Sequence, residues 1–558
     1  MGFSPRVFSS VPAFAFAPAA VAVIALGLAD APSGQEAGGV AGAAGVAHQA
    51  LFDTSDNCLA CHNGLTTSAG EDISIGSEWR ASMMANAARD PYWQAGVRRE
   101  TLDHPQHAAD IQDECSICHM PMARTEAHLA GRQGQVFAHL PVVDRAAPED
   151  LKAHDGVGCT VCHQITSEGF GTRESFTGGF VIDTAPAAER SIFGPFEIET
   201  GLTAIMRSAT GFEPAEAAHV QQSELCATCH TLITKSLGPS GDVIGELPEQ
   251  VMYLEWRHSD YWTKQVSCQA CHMPVVAEET PIASVLGDPR EGFSRHSFVG
   301  GNFFMLGMLN RYRAELGVTA LPQELDAAVR RTVRNLQTAT AAVRVERAAV
   351  SGDRLEIDVA VENQTGHKLP TAYPSRRAWL HVTVRDGGGR AVFESGRVEP
   401  SGAIDGNDND ADEARFEPHY TEIRRADEVQ IYEAIMGDPQ GTPTTGLLTA
   451  IGYLKDNRLL PAGFDKVTAE PDIRVAGAAL SDTDFTGGGD RVRYSVEVGG
   501  RTGPFEVAVE LRFQVIAYRW AENLKPYDAD EPRRFVRYYE SMSAASSEQL
   551  AHTTATVR

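Results

Sequence analysis

The stretch ECSICHMPM, residues 114–122, sets Cys115, Cys118 and His119 in a Cys-x-x-Cys-His pentad, and the chain is organised around that pattern. The pentad recurs as Cys58/Cys61/His62 in CLACH (58–62), Cys159/Cys162/His163 in DGVGCTVCHQI (155–165), Cys226/Cys229/His230 in SELCATCHTL (223–232) and Cys268/Cys271/His272 in VSCQACHMP (266–274). All ten cysteines belong to these five pentads. Ten cysteines and 18 histidines scattered over 558 positions would give about 0.006 such pentads, so chance is excluded.

Cys-x-x-Cys-His is the attachment signature of c-type haem. The two thiols, one turn apart, add to the two vinyl groups on one porphyrin edge, and the histidine reaches the iron from the proximal face. Two plainer readings compete. Structural zinc takes four ligands close in sequence, whereas successive first cysteines here stand 57, 44, 67 and 42 residues apart and each pair carries its own histidine. Disulfides suit an even number of cysteines in an exported chain, but they leave the histidine at the fifth place unexplained five times. The expected cofactors are therefore five covalently bound c-type haems with their iron. The ten cysteines are the attachment thiols, and His62, His119, His163, His230 and His272 the proximal ligands.

In these settings residues 51–300 resemble the multihaem c-type cytochromes, in particular the cytochrome c-552/c-554 type. The resemblance implies a mostly α, low-regularity wrapper around closely packed haems. The spacing agrees, since Cys58 to His272 is 215 residues, or 43 per haem. That is too little chain for a conventional core around each ring, so the porphyrins themselves are expected to be the core.

Five irons call for five distal ligands. His104 and His107 fit the space before Cys115, and His139 and His154 the space before Cys159; the members of each pair are not separable by sequence. His219 lies in an apparent helix, EPAEAAHVQQSEL, and His258 in YLEWRHSDYW, ten residues before Cys268. His296, in FSRHSFVGGN, opens an apolar helix, and His367, in NQTGHKLPTAYP, sits in a Gly/Pro-rich loop able to return to a haem. After the first pentad, SEWRASMMANAARDPYW reads as an amphipathic helix carrying Met83 and Met84 and no histidine. A thioether there would give His/Met ligation and a raised potential; the alternative is soft packing on the ring. His381, His419 and His552 read as structural.

Beyond residue 320 the periodicity changes. LPQELDAAVRRTVRNLQTA places Leu325, Val329, Val333 and Leu336 at helical spacing, whereas RLEIDVAVEN and FEVAVELRFQV alternate as half-buried strands do. Gly387–Gly389 and Gly499–Gly500 read as hairpin turns. The fold class is thus α+β multidomain: a mostly α, low-regularity multihaem domain (51–339), then an antiparallel β-sandwich-like domain (340–525) with an insertion of little clear period near 400–470. Residues 526–558 read as a C-terminal tail. The acidic loop DGNDNDADE (405–413) reads first as solvated, with calcium the second reading. The stretch GHKLPTAYPSRRAWL resembles one in multihaem proteins with such a sandwich, which implies docking of the β-domain on the haems, with Arg376 and Arg377 meeting propionates.

Residues 1–31 read as a signal peptide, Arg6 preceding an apolar run that ends at Ala29-Asp30-Ala31, and 32–50 as a flexible Gly/Ala linker. An uncleaved anchor is the runner-up; no later segment spans a membrane. A periplasmic or cell-surface location follows. With 74 acidic against 48 basic residues, a net charge of −26 excludes nucleic acid as a partner and favours redox proteins with basic docking surfaces, with self-association as a further expectation. Electron transfer is the leading function. The alternatives are an oxidoreductase acting on nitrogen or sulfur oxyanions at one haem with an open axial position, and a component of a cell-surface cytochrome assembly. The Cys-x-x-Cys-Lys pentad of pentahaem nitrite reductases is absent, and hydroxylamine oxidoreductases have eight pentads against five here.

Overall fold

Each pentad folds as a turn of helix. Ala108–His119, Ser223–His230 and Cys268–His272 contain theirs whole, and Cys159–Cys162 stops one residue short. Ser55–Leu59 is prolonged by Cys61 and His62, whose N–H groups both donate to the Cys58 carbonyl. Positions i, i+3 and i+4 of a helix share one face, so both thiols and the imidazole point the same way. The computed structural model describes residues 50–143, 145–184 and 190–558. The expected signal peptide and nearly all of the linker lie outside these residues. No helix among the described residues is long and apolar enough to cross a membrane.

The chain is α+β. Short helices and turns carry the pentads, with two small two-stranded sheets among them, one pairing Arg190–Gly194 with Phe212–Glu216 and the other Leu232–Leu237 with Val243–Gln250. Further on, two larger sheets face each other. One runs Pro443–Thr444, Ile431–Gly437, Arg377–Arg385, Phe505–Gln514, Ser547–Val557, with Gly452–Asp456 and Ala391–Ser395 pairing beside it. The other runs Ala341–Ser351, Arg354–Asn363, Gly489–Glu497, Glu422–Ile423. Leu355, Ile357 and Val359 of the smaller sheet and Val382, Val384, Val507 and Val509 of the larger are fully buried in one core, as the alternation of both stretches requires. The helix Pro322–Ala339 leads into the sandwich and buries Leu325 and Leu336.

Several expectations are corrected. The stretch 77–93 is not one helix. Ile75–Arg80 ends where the Asn86 amide donates to the carbonyls of Arg80 and Ser82, and a new helix, Pro91–Asp103, starts under the Asp90 cap. His219 sits on the 3-10 turn Ala218–Gln221 after a strand, and His296 in a loop ahead of the helix Phe303–Arg311. Gly387–Gly389 does turn a hairpin, but Gly499–Gly500 joins strands of different sheets. The tail is no tail: Asp530–Met542 is a helix, and Ser547–Val557 pairs along the whole of Phe505–Gln514. The insertion supplies Ile431–Gly437, a strand buried at every position, which is why it has no alternation to read.

The sandwich meets the pentad region through Asp530–Met542, where Glu531 pairs with Arg98 at 2.8 Å and Phe535 packs on Tyr92. Among the described residues one His/Asp cluster has metal-like spacing, His419 with Asp482 and Asp490. The Gln430 and Asn457 amides both donate to Nδ1 of His419, so its proton sits on Nε2 and is given to Asp482 at 2.9 Å. Both ring nitrogens of His419 are thus engaged by side chains of the sandwich. His381 is likewise held between Glu394 and Glu510.

Candidate functional site

All five pentads open onto one cavity of about 1680 Å³. Clefts for a single small molecule run to roughly 300–1,000 Å³, so this space exceeds one such site. None of the ten thiols is in a disulfide. Burial pushes Cys162 up to about 12 and Cys115 higher still, whereas hydrogen bonds from neighbouring thiols pull Cys159, Cys229 and Cys268 down.

Four of the five pentad imidazoles are oriented from behind. Nδ1 of His62, His119 and His163 donates to the carbonyls of Ile282 (2.7 Å), Ala87 (2.9 Å) and Phe193 (2.6 Å), and that of His272 to Val299. A carbonyl only accepts, so the proton sits on Nδ1 and Nε2 keeps its lone pair for the cavity, as in metal-ligating histidines. Burial pulls His119 and His230 down to about 4, so both stay neutral.

Two further histidines line the cavity, His296 and His367. Their Nδ1 atoms donate to the carbonyls of Ser294 (3.1 Å) and Lys368 (2.9 Å). The His296 ring faces that of His163 with centres 6.3 Å apart and planes 21° from parallel; His367 faces His272 at 6.3 Å and 17°. Rings in contact would be about 3.5–4 Å apart. The gap leaves room between the paired rings for a metal ion that both imidazoles could hold. The donor set therefore fits porphyrins that the cysteines would hold by thioethers and the pentad histidines by their imidazoles, with His296 and His367 available as second ligands to two of them.

The other expected distal histidines do not line the cavity, and all but His104 are turned to another partner. His139 bonds Asp150, His154 the carbonyl of His139, His219 that of Ile165, and His258 that of Asp465 at the surface. His107 lies near Asp110 and against Gly241, and His104 is buried at a helix end with its Nε2 unpartnered. Met83 and Met84 do line the cavity, Met83 also packing on the main core. Arg377 is not free for a propionate: buried, it clamps Asp410 with two bonds of 2.9 Å. Asp405 and Asp408 are paired with Arg397 and Arg415, so these two carboxylates of the acidic loop already serve arginines. Arg376 does line the cavity, beside His230, and donates to the Thr371 carbonyl at 3.0 Å.

The loop bearing His367 is fixed by a buried ion cluster. Lys368 meets Asp456 at 2.7 Å, and Arg458 bridges Asp456 (2.7 Å) and Glu255 (2.9 Å). Glu255 also accepts from the Lys368 N–H (3.1 Å) and the Thr371 hydroxyl (2.6 Å). Since Glu255 lies on the helix Met252–Arg257, this cluster fastens the GHKLP loop to the pentad region.

The pentads also touch one another. The Cys58 thiol stands against Cys159, Cys226 against Cys268, and Cys118 against Cys229, while Cys162 faces Cys226 and Cys229. All five are thereby linked, with the second as a branch. Sequence reading missed a repeat inside this array. Ser55 and Ser223, each three residues before its pentad, accept from the N–H of Cys159 (3.2 Å) and of Cys268 (3.0 Å). Pentads one and three thus form the same two-turn unit as four and five, and His296 and His367 occupy matching places on it. The signal was present as S-x-x-C-x-x-C-H in SDNCLACH and SELCATCH. Trp93, stacked on His119 at 4.2 Å and 1°, was also missed.

No protein-family model matches the chain, nor does any curated protein. Among solved structures, the chain is similar to a penta-haem cytochrome c552 from Thermochromatium tepidum, at 15% identity and a TM-score of 0.49, over 91% of this chain and 100% of that one.

Proposed function

We propose that the protein is an exported pentahaem c-type cytochrome that carries electrons along its covalently bound haems between redox partners in the periplasm or at the cell surface. The observation that carries this reading is the single cavity onto which all five pentads open, each pentad in contact with another. Haems bound there would supply one-electron redox chemistry. The chain's own cysteines would attach them, the backbone carbonyls orient Nε2 of four of the five proximal histidines, His296 and His367 would serve as second ligands to two of them, and a mostly apolar wall would surround them. The acidic surface, −26 overall, suits partners with basic docking faces. The test is electron exchange with a small basic donor followed by stopped flow. A rate that falls steeply with ionic strength supports the reading, and a salt-independent rate counts against such partners.

A second reading, conversion of a nitrogen or sulfur oxyanion at a haem with an open axial position, is favoured by Arg376. Its guanidinium faces His230, burial pulls it down to about 10, and it has no ion pair among the described residues. An uncompensated buried cation attracts an anion. If this reading holds, nitrite or sulfite changes the ferric spectrum and Arg376→Ala weakens that binding; an unresponsive spectrum leaves electron transfer alone.

A further inference from the structure

Where the second and fourth pentads meet, the cavity wall turns polar. Glu249, on the strand Val243–Gln250, is 6% exposed, and its carboxylate accepts from the Thr234 hydroxyl (2.6 Å) and the Gln250 amide (3.4 Å). It has no ion pair among the described residues. It shares the cavity wall with Glu100 from the helix Pro91–Asp103, Tyr373 from the 364–376 loop and the thiols of Cys115 and Cys118, and its charge is felt by all of these and by Tyr453 from the strand Gly452–Asp456. Glu100 is differently supported. It accepts from the backbone N–H groups of Leu447 (2.9 Å) and Leu448 (3.4 Å), and Arg99 offsets its charge. Tyr373 is committed to Tyr92. Glu249 is therefore the carboxylate left without compensation. An ionised carboxylate in that setting is costly, and protonation relieves the cost; burial pushes Glu249 up to about 7.

We propose that Glu249 is a proton-loading site whose occupancy follows the oxidation state of the haem at Cys115/Cys118. The proposal rests on the haem reading above. While the iron is ferric, its positive charge favours the carboxylate. When one electron arrives from a one-electron donor protein, that charge falls, and Glu249 takes one proton from solvent, forming a single O–H bond. Reoxidation returns the electron to an acceptor and the proton to water. Among the described residues this pentad joins the others through Cys118 and Cys229, so the proton is taken up at a branch of the array.

The test is a redox titration of the exported holoprotein at several pH values, with infrared difference spectra of the reduced and oxidised forms. One haem should have a midpoint potential that falls as pH rises through neutrality, by up to about 59 mV per unit for one proton per electron. Glu249→Gln, similar in shape, should abolish that slope and leave the other haems unchanged. Thr234→Val removes a bond that favours the carboxylate and should move the sloping range to higher pH. On reduction, a protonated-carboxyl band sensitive to deuterium exchange should appear in the wild type. A slope that survives Glu249→Gln, or a wild type with neither slope nor band, overturns the proposal. The wild-type band decides the matter if the variant does not accumulate. Protein without haem would instead refute the reading on which the proposal rests.

Discussion

Lys368 and Asp456, both buried, meet at 2.7 Å one residue beyond the histidine that faces His272. The ion pair is a positioning device, because it holds the loop that aims His367 into the cavity. Asp456→Asn leaves Lys368 as a buried charge without its partner and should cost about 3–5 kcal/mol in denaturant unfolding.

The same pair sets an acid limit. Burial alone would raise the Asp456 carboxyl, but Arg458 and Lys368 outweigh it and hold the group below the usual carboxylate range. A folded value below the unfolded one, about 4, adds stability that is fully present above about pH 4 and lost as pH falls through the folded value. Unfolding measured down the acid range should steepen there in the wild type and flatten in Asp456→Asn.

Replacing the two cavity-lining histidines separates ligation from attachment. His296→Ala and His367→Ala should each turn one haem of five high-spin in the ferric paramagnetic spectrum, with the intact mass reduced by the side chain alone. His154→Ala and His258→Ala, whose rings are bonded to backbone carbonyls elsewhere, should leave the spectrum as it is.

Ser55→Ala and Ser223→Ala test the internal repeat. Each strips the hydrogen bond from the first cysteine N–H of the neighbouring pentad, a loss of about 1–3 kcal/mol when the donor is left unpaired. Matching destabilisation by the two variants, with all haems retained, is the expected result. Ser55 also donates to Asp155 at 2.7 Å, so any difference should fall on its side.

Arg377 and Asp410 should behave as a structural pair. Arg377→Met strands a buried carboxylate and should lower stability by about 3–5 kcal/mol, without a change in haem spectra. Added calcium should leave the wild-type melting temperature where it is, since the oxygens of Asp405, Asp408 and Asp410 already serve arginines.

The legible parts of this protein were those with a short local period. The pentads fix their own helical turns, and strands such as Arg354–Asn363 bury one face and so alternate. Ile431–Gly437 is buried on both faces and Ser547–Val557 is mostly polar, so neither has that contrast, although both complete the larger sheet. Distal ligands depend on contacts far apart in sequence. His154 ends the helix Pro148–His154 and His367 sits in a Gly/Pro-rich loop, yet neither setting names its partner: the first is turned to the carbonyl of His139 and the second is carried into the cavity by Lys368, Asp456 and Glu255. The Ser-x-x-Cys repeat was readable, but its meaning depends on which pentads become neighbours.

The most direct test of the central claim is the intact mass and absorption spectrum of the protein purified after export. A coloured protein heavier than its mature chain by five haems, with all ten thiols blocked as thioethers, is the expected result. A colourless chain at the bare polypeptide mass, or one carrying zinc or cystines at the pentads, would contradict it.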